Sequence, residues 1–406
     1  MDNDIRQKLL DIISWVNDIS DSLNIDLSES TRNKFDYYAE DFNIPVGPIP
    51  VDKRIKALSL FSNVGIGEYF LEDTLVDIKV ANELLKDRSD LYKSIYPEVK
   101  MIHGDIAEVY KGVIWASRAN NCKMVIATPP CQGFSIAGKM DENDPRNTLI
   151  IHVINSILDL DCDYALIENV PNMVKSYISI DGEKRKIDDY IRDRLSEYNV
   201  EFKVINTADY GVPQTRKRGI YLISKKGKWE FPNIKKPHAT VRETIGHLPS
   251  LESEEKTNIK WHNAKKHNEN HILWMKNTPS GKSAYNNLDK NINEYYPQTK
   301  GRDIKGFRTT YKRISWDKPA PTITMSNGAI SSQNNVHPGH KNIDGTYSDA
   351  RVLTLLEIML LTGIPEDWRI PEDTKENLIR KVIGEAVPPL IFLKLIQNIK
   401  IASPST

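Results

Sequence analysis

This sequence predicts a doubly wound α/β fold with a mixed sheet and a smaller second lobe, on three observations. From Lys56, short apolar segments alternate with helical stretches, the pattern of strands crossing over through helices. A glycine-bearing turn, Val64-Gly-Ile-Gly67, follows the first apolar segment, where open α/β sheets bind ligands. The chain has 406 residues, more than the ~100 to 200 of one domain, so two lobes and a substantial core are expected.

The elements follow in order. Ile5, Leu9, Ile12, Ile13, Val16 and Ile19 recur at helical spacing, and a second helix is expected from Thr31 to Phe42. The stretch from Asn43 to Pro50 carries three prolines and suits a linker. Strands are expected at Ala57 to Phe61, Asp77 to Ala81, Val99 to His103, Met124 to Thr128 and Tyr164 to Glu168. Leu149, Ile150, Val153, Ile154, Ile157 and Leu158 mark the helix between the last two. Phe202 to Thr207 and Gly219 to Ser224 flank a turn short enough for an antiparallel pair. After Ser224 the order fades into a polar stretch sprinkled with aromatics. Strong helical periodicity returns at Val352 to Leu361 and Leu378 to Ile399. No internal repeat is visible.

The formal net charge is zero, yet the neutrality is a cancellation. Residues 1 to 52 hold 11 acidic residues against 4 Lys or Arg, an acidity that would repel DNA and favours packing or dimerisation. Residues 225 to 313 hold 19 Lys or Arg against 9 Asp or Glu, together with five of the nine histidines. Such a segment suits a phosphate backbone, though a solvated lysine-rich surface has the same composition. No apolar run approaches the ~18 residues of a membrane span, and residues 1 to 20 lack the pattern of a secretory leader. Three cysteines without CxxC spacing are too few for a disulfide framework or a zinc site. A reducing intracellular setting and no metal are expected.

Candidate site residues cluster at the predicted strand ends. Gly65 and Gly67 let backbone approach a ligand closely. Glu83 ends the second strand, placed to accept from ribose hydroxyls, and Asp105, in Gly104-Asp-Ile106, is placed to accept from an adenine amino group. A helix N-cap is the alternative for either carboxylate. In Ala127-Thr-Pro-Pro-Cys-Gln-Gly-Phe-Ser-Ile-Ala-Gly-Lys139, two prolines stiffen a turn that presents the Cys131 thiol at the sheet edge. Cys122 and Cys162, at the starts of apolar strands, read as buried small hydrophobes.

In order along the chain, these segments resemble the cytosine-5 DNA methyltransferases over roughly residues 57 to 399. The resemblance rests on Phe61 to Gly67, Glu83, Asp105, Pro129-Pro-Cys-Gln-Gly-Phe-Ser135, Arg146-Asn-Thr-Leu149 and Glu168-Asn-Val170. It continues through Asp209-Tyr-Gly-Val-Pro-Gln-Thr-Arg-Lys-Arg218, Lys318-Pro-Ala-Pro-Thr-Ile-Thr324 and Gly384-Glu-Ala-Val-Pro-Pro389. It implies the S-adenosylmethionine-dependent methyltransferase fold and a restriction-modification enzyme acting on double-stranded DNA. Cys131 would add to carbon 6 of a flipped cytosine, making carbon 5 nucleophilic toward the sulfonium methyl. Glu168 would contact the N3 edge and exocyclic amine, and Arg218 with Arg216 would lie at the base. The implied S-adenosylmethionine contacts are Phe61, Gly65, Gly67, Glu83, Asp105, Ile106, Pro129, Leu149, Glu385 and Ala386. The closing motif departs from the family's usual Gly-Asn: Glu385 stands where the amide is expected.

The same resemblance divides the chain into an acidic helical extension (1–52), a catalytic and cofactor-binding domain (53–224), a basic target-recognition lobe (225–340) and a returning C-terminal segment (341–406). Ser326 to Gly345 is expected as a loop near DNA. The implied setting is the cytoplasm of a prokaryote, at the nucleoid, with the enzyme acting as a monomer beside a companion restriction endonuclease. Two alternatives stand beside this reading. An RNA cytosine-5 methyltransferase is disfavoured by Gly133 and Ser135. A catalytically silent DNA-binding regulator would be expected to lose Cys131, Glu168 or Arg218.

Overall fold

A computed structural model describes residues 53–130, 148–180, 182–234, 237–290, 295–299, 302–304 and 307–400. The expected N-terminal helices, the proline linker and the segment from Cys131 to Asn147 lie outside the described residues.

The sheet is built first from five parallel strands: β1 (Ile55–Leu60), β2 (Val76–Glu83), β3 (Lys100–His103), β4 (Met124–Ala127) and β5 (Tyr164–Asn169). Helices cover both faces of a parallel sheet, so its central strands are continuous apolar runs; every residue of β4 and β5 is buried. The crossovers are α1 (Lys86–Ile95), α2 (Ile106–Ala119) and α3 (Leu149–Asp159). The hairpin of β6 (Tyr177–Ile180) and β7 (Glu183–Lys186) and helix α4 (Ile187–Arg194) lead to β8 (Asn199–Asn206) and β9 (Lys217–Ser224), both antiparallel to their neighbours. The seven strands run in the order β3-β2-β1-β4-β5-β9-β8. The order reverses between β1 and β4, which opens a crevice at the carboxyl ends of the parallel strands. The expected strands lie within three residues of these bounds, and the helix expected between the fourth and fifth is α3.

Leu58, Leu60, Val80, Val125 and Ile167 of the sheet pack against Val113 of α2 and Ile150, Val153, Ile154 and Ile157 of α3. In α3 these are the apolar positions that the helical spacing singled out.

Past Ser224 the sequence shows little periodicity, but the structure shows a second core. Helices α5 (Val241–Ile245) and α6 (Glu269–Lys276) accompany a buried cluster of Trp274, Met275, Tyr311, Ile330, Val336 and Val352. Buried arginines frame it. Arg313 donates to the carbonyls of Met275, His337, Ser348 and Asp349. Arg351 pairs with Asp349 and Glu357, each at 2.8 Å, and all three are fully buried. Taking Arg351 away would strand two buried carboxylates, a change that costs about 3 to 5 kcal/mol in such settings. The expected loop from Ser326 to Gly345 contains no helix, yet Ile330, Asn335, Val336 and His337 within it are buried.

The chain then returns through α7 (Leu355–Thr362), capped by Thr354 and Glu357, α8 (Glu376–Glu385) and α9 (Pro389–Ile396). The single periodic stretch from Leu378 is therefore two helices. Pro388 and Pro389 lack the N–H that a continuous helix needs, and Ala386 is extended (φ −63°, ψ 154°). Helix α9 lies against the glycine turn after β1, and Trp229 Nε1 donates to Leu395 O at 2.8 Å. Among the described residues no helix is long and apolar enough to cross a membrane, and no group of three His, Cys, Asp or Glu is placed to hold a metal.

Candidate active site at the carboxyl edge of the sheet

Glu168 closes the buried run of β5. Its registered partner on β9 is Ile220, so Arg218, two residues along, is its diagonal neighbour on the same face. Arg218 Nε reaches Glu168 Oε1 at 2.7 Å. Burial raises the Glu168 carboxyl above its usual range, opposed by the guanidinium of Arg218 and, less closely, that of Arg216. Next along the chain, Asn169 Nδ2 donates to Pro129 O at 2.9 Å. That bond ties the end of β5 to the proline pair that leads toward Cys131, itself outside the described residues. Cys122 and Cys162 are buried near the opposite ends of their strands, and burial pushes the Cys122 thiol up to about 11. Neither thiol suits a nucleophile.

Arg216 lies just before β9, within reach of the Glu168 charge, and braces the backbone as well. Its Nη1 donates to Ile323 O at 2.9 Å and its Nη2 to Gly384 O at 3.0 Å, so it laces two distant segments together. The structure brings Arg218 onto Glu168 and puts Nη1 and Nη2 of Arg216 on backbone carbonyls.

The β1 turn forms the other half of the edge. Phe61, Asn63 and Gly65 all have positive φ (59°, 52° and 75°), an unusual density of left-handed residues. Thr128 Oγ1 holds Phe61 O at 2.9 Å, and Tyr96 OH holds Gly65 O at 2.8 Å. The absent side chains of these glycines leave room for aromatic neighbours. A Cβ on Gly65 would lie 2.4 Å from Tyr96 Cε2, and one on Gly67 would lie 2.8 Å from Phe392 Cε2. Glu83, buried at the end of β2, accepts from Asn63 N at 2.9 Å and Leu85 N at 2.8 Å. Each of its oxygens keeps acceptor capacity. Burial raises its pKa. Asp105 caps α2, accepting from Ala107 N at 2.9 Å, the alternative its position allowed. Ile106 is buried behind it, Pro129 is buried, and Leu149 begins α3. Glu385 ends α8, where it meets Arg88 at 2.8 Å and Asn63 Nδ2 at 3.2 Å, with Ala386 buried beside it.

A family model for C-5 cytosine-specific DNA methylases matches residues 55–401. The chain belongs to that family. It is similar to the type II methyltransferase M1.HgaI of Avibacterium volantium, 50% identical over 357 residues that cover 86% of this chain and 98% of that protein. It is also similar to the type II methyltransferase M1.HphI of Haemophilus parahaemolyticus, 28% identical over 74% of this chain and 75% of that one. Among solved structures, a prophage-encoded E. coli candidate DNA modification methyltransferase aligns with a TM-score of 0.61 at 20% identity. It covers 85% of this chain and 98% of its own. The Entamoeba histolytica methyltransferase EhMeth aligns with a TM-score of 0.58 at 15% identity, covering 85% and 98%. At such identities these likenesses establish the fold, that of the S-adenosylmethionine-dependent methyltransferases.

For a DNA cytosine-5 methylase, three polar residues at this edge escaped the sequence reading. Asn63 sits inside the glycine turn, Arg88 lies on α1, and Glu68 is buried beneath the turn with Ser59 Oγ and Tyr92 OH donating to it. Only Asn63 carried a sequence signal, as a polar residue that tolerates positive φ within a glycine turn. Asn63 Oδ1 and Arg88 Nε are buried with no hydrogen-bond partner among the described residues. The buried acceptor of Asn63 beside the free lone pairs of Glu83 fits a ligand with ribose hydroxyls and a charged amino group.

Proposed function

We propose that this methylase transfers a methyl group from S-adenosylmethionine to carbon 5 of a cytosine rotated out of duplex DNA, through a covalent bond from Cys131 to carbon 6 that breaks again when carbon 5 loses its proton and the thiolate is eliminated. The observation that carries the reading is the Glu168–Arg218 pair at the carboxyl edge, tied through Asn169 to the strand end that precedes Cys131. Raised by burial, Glu168 holds a proton more readily than a solvated carboxylate, which suits it to the N3 edge of a ring gaining electron density at carbon 5. Arg218 orients it and opposes excessive protonation. The cofactor supplies an electrophilic methyl on sulfur. Glu83, Asn63 and the β1 turn hold it, with Asp105, Ile106, Pro129, Leu149, Glu385 and Ala386 around it.

Residues 53–224 form the catalytic and cofactor-binding domain, residues 225–340 the basic lobe facing DNA, and residues 341–406 the segment completing the first. The acidic residues 1–52 take no part in sequence choice. The two type II relatives support a restriction-modification role, in the cytoplasm and with a companion endonuclease.

The test is denaturing electrophoresis with a duplex carrying 5-fluorocytosine, whose fluorine blocks release of the enzyme after transfer. The target site is first located by bisulfite sequencing of DNA from an expressing host. The wild-type chain is expected to form an adduct that Cys131→Ala abolishes. Glu168→Gln should slow adduct formation by about 10²-fold or more while duplex affinity changes little. An adduct that survives Cys131→Ala overturns the nucleophile.

A further inference from the structure

Two carboxylates from opposite ends of the chain converge on Asn63. Glu83 Oε2 accepts from its backbone N–H at 2.9 Å, and Glu385 Oε2 accepts from its side chain at 3.2 Å. One cation stands among them. Arg88 Nη2 lies 2.8 Å from Glu385 Oε2 and 3.0 Å from Oε1, so one nitrogen serves both oxygens. The two side chains are only 12% and 20% exposed. Exposed pairs are worth little, but a pair this enclosed responds strongly to the loss of one partner.

We infer that Arg88 is a positioning residue of the cofactor edge, whose task is to neutralise Glu385 so that the Asn63 turn keeps its shape beside Glu83. Three arguments carry this. The turn holds Phe61, a bulky residue, left-handed two positions before a left-handed Asn63, and such a turn persists only where its surroundings over-determine it. Glu83 and Glu385 supply two of those restraints, and both act on Asn63 itself. Without Arg88, two partly desolvated carboxylates would face one another across Asn63, and their repulsion would pull the restraints apart. The family's usual amide at position 385 needs no counter-charge, so a glutamate there calls for a cation that an amide does not. Arg88 supplies it, from the helix that directly follows Glu83.

The inference rests on the proposal that this edge binds the cofactor, and a charge-rescue cycle separates the two. Binding of S-adenosylhomocysteine to the full-length protein is measured by isothermal titration for the wild type, Arg88→Ala, Glu385→Gln and the double variant. Circular dichroism checks that each is folded. The wild type is expected to bind; absence of binding there would overturn the cofactor reading itself. Arg88→Ala should weaken binding about tenfold or more, and Glu385→Gln, which keeps an acceptor for Asn63 but carries no charge, sets the reference for the double variant. The double variant should bind within about threefold of Glu385→Gln alone, because removing the unpaired carboxylate removes the reason for Arg88. If Arg88→Ala does not fold, Arg88→Gln replaces it, since charge is the property under test. A double variant weaker than Glu385→Gln by as much as the arginine variant is weaker than the wild type, or an arginine variant that binds like the wild type, overturns the inference.

Discussion

Burial raises three carboxyls along this sheet edge, and their partners then set them apart. Glu168 faces a guanidinium, Glu83 faces backbone N–H groups, and Glu68 faces the hydroxyls of Ser59 and Tyr92. With no cation among its hydrogen-bond partners, Glu68 is pushed up to about 7 from an ordinary 4.5. A carboxyl raised in the folded state binds its proton more tightly there than in the unfolded chain. Its contribution to stability is therefore full below about pH 4.5 and is lost as pH rises through about 7. The change is on the order of 3 kcal/mol. Glu68→Gln keeps a hydrogen-bonding side chain and cannot ionise. Urea denaturation midpoints should fall from pH 5 to pH 8 in the wild type and fall less in the variant; matching slopes would exclude Glu68 as a source. Glu68 was illegible in the sequence because nothing local distinguishes a buried glutamate after a glycine turn from a solvated one.

Three motif segments far apart in sequence meet at the level of elements, and they do so through Arg216 and Gly384. The guanidinium of Arg216 joins the carbonyls of Ile323 and Gly384. Gly384 is pressed against backbone: a Cβ there would lie 2.3 Å from Thr324 C and O and 2.4 Å from Met325 N. Backbone cannot rotate aside as a side chain can. Gly384→Ala should cost about 1 to 3 kcal/mol in chemical denaturation. Gly112→Ala, in α2 with nothing within 4 Å of the added carbon, should be neutral or stabilising by up to about 1 kcal/mol. Equal effects at the two sites would refute the packing account. The arginine motif itself was legible, but the division of labour within it was not. Strand alternation would set Arg216 and Arg218 on one face, whereas β9 begins only at Lys217, so Arg216 escapes the alternation.

At the scale of the whole molecule, the proposed DNA face depends on the basic segment that the neutral total conceals. Lys256, Lys282, Arg302 and Arg308 are exposed within it. Replacing all four with glutamine should weaken duplex binding. For each of the four that neutralises a phosphate, the slope of log affinity against log salt should also become shallower by about 0.9. An unchanged slope would place the DNA elsewhere. The basic segment belongs to a part of the chain whose core surrounds Trp274 and Tyr311, built on arginine-to-carbonyl bonds between residues 24 to 38 positions apart.

The sequence by itself determined the order of the main strands along the chain, the helix between the fourth and fifth and the family, because periodicity and short motifs are carried within ten or twenty residues. It also singled out Glu168, Glu83 and Arg218, each at or beside a strand end that local pattern reveals. Only the tertiary structure decided which charges meet: Arg88 with Glu385 across 297 positions, and Arg216 with the backbone of Ile323 and Gly384. It also decided that the stretch beyond Ser224 has a core of its own. The physical reason is one of range. A helix or strand is stabilised by neighbours in sequence, whereas an ion pair or a buried arginine is stabilised by groups that only the completed fold brings within hydrogen-bonding distance.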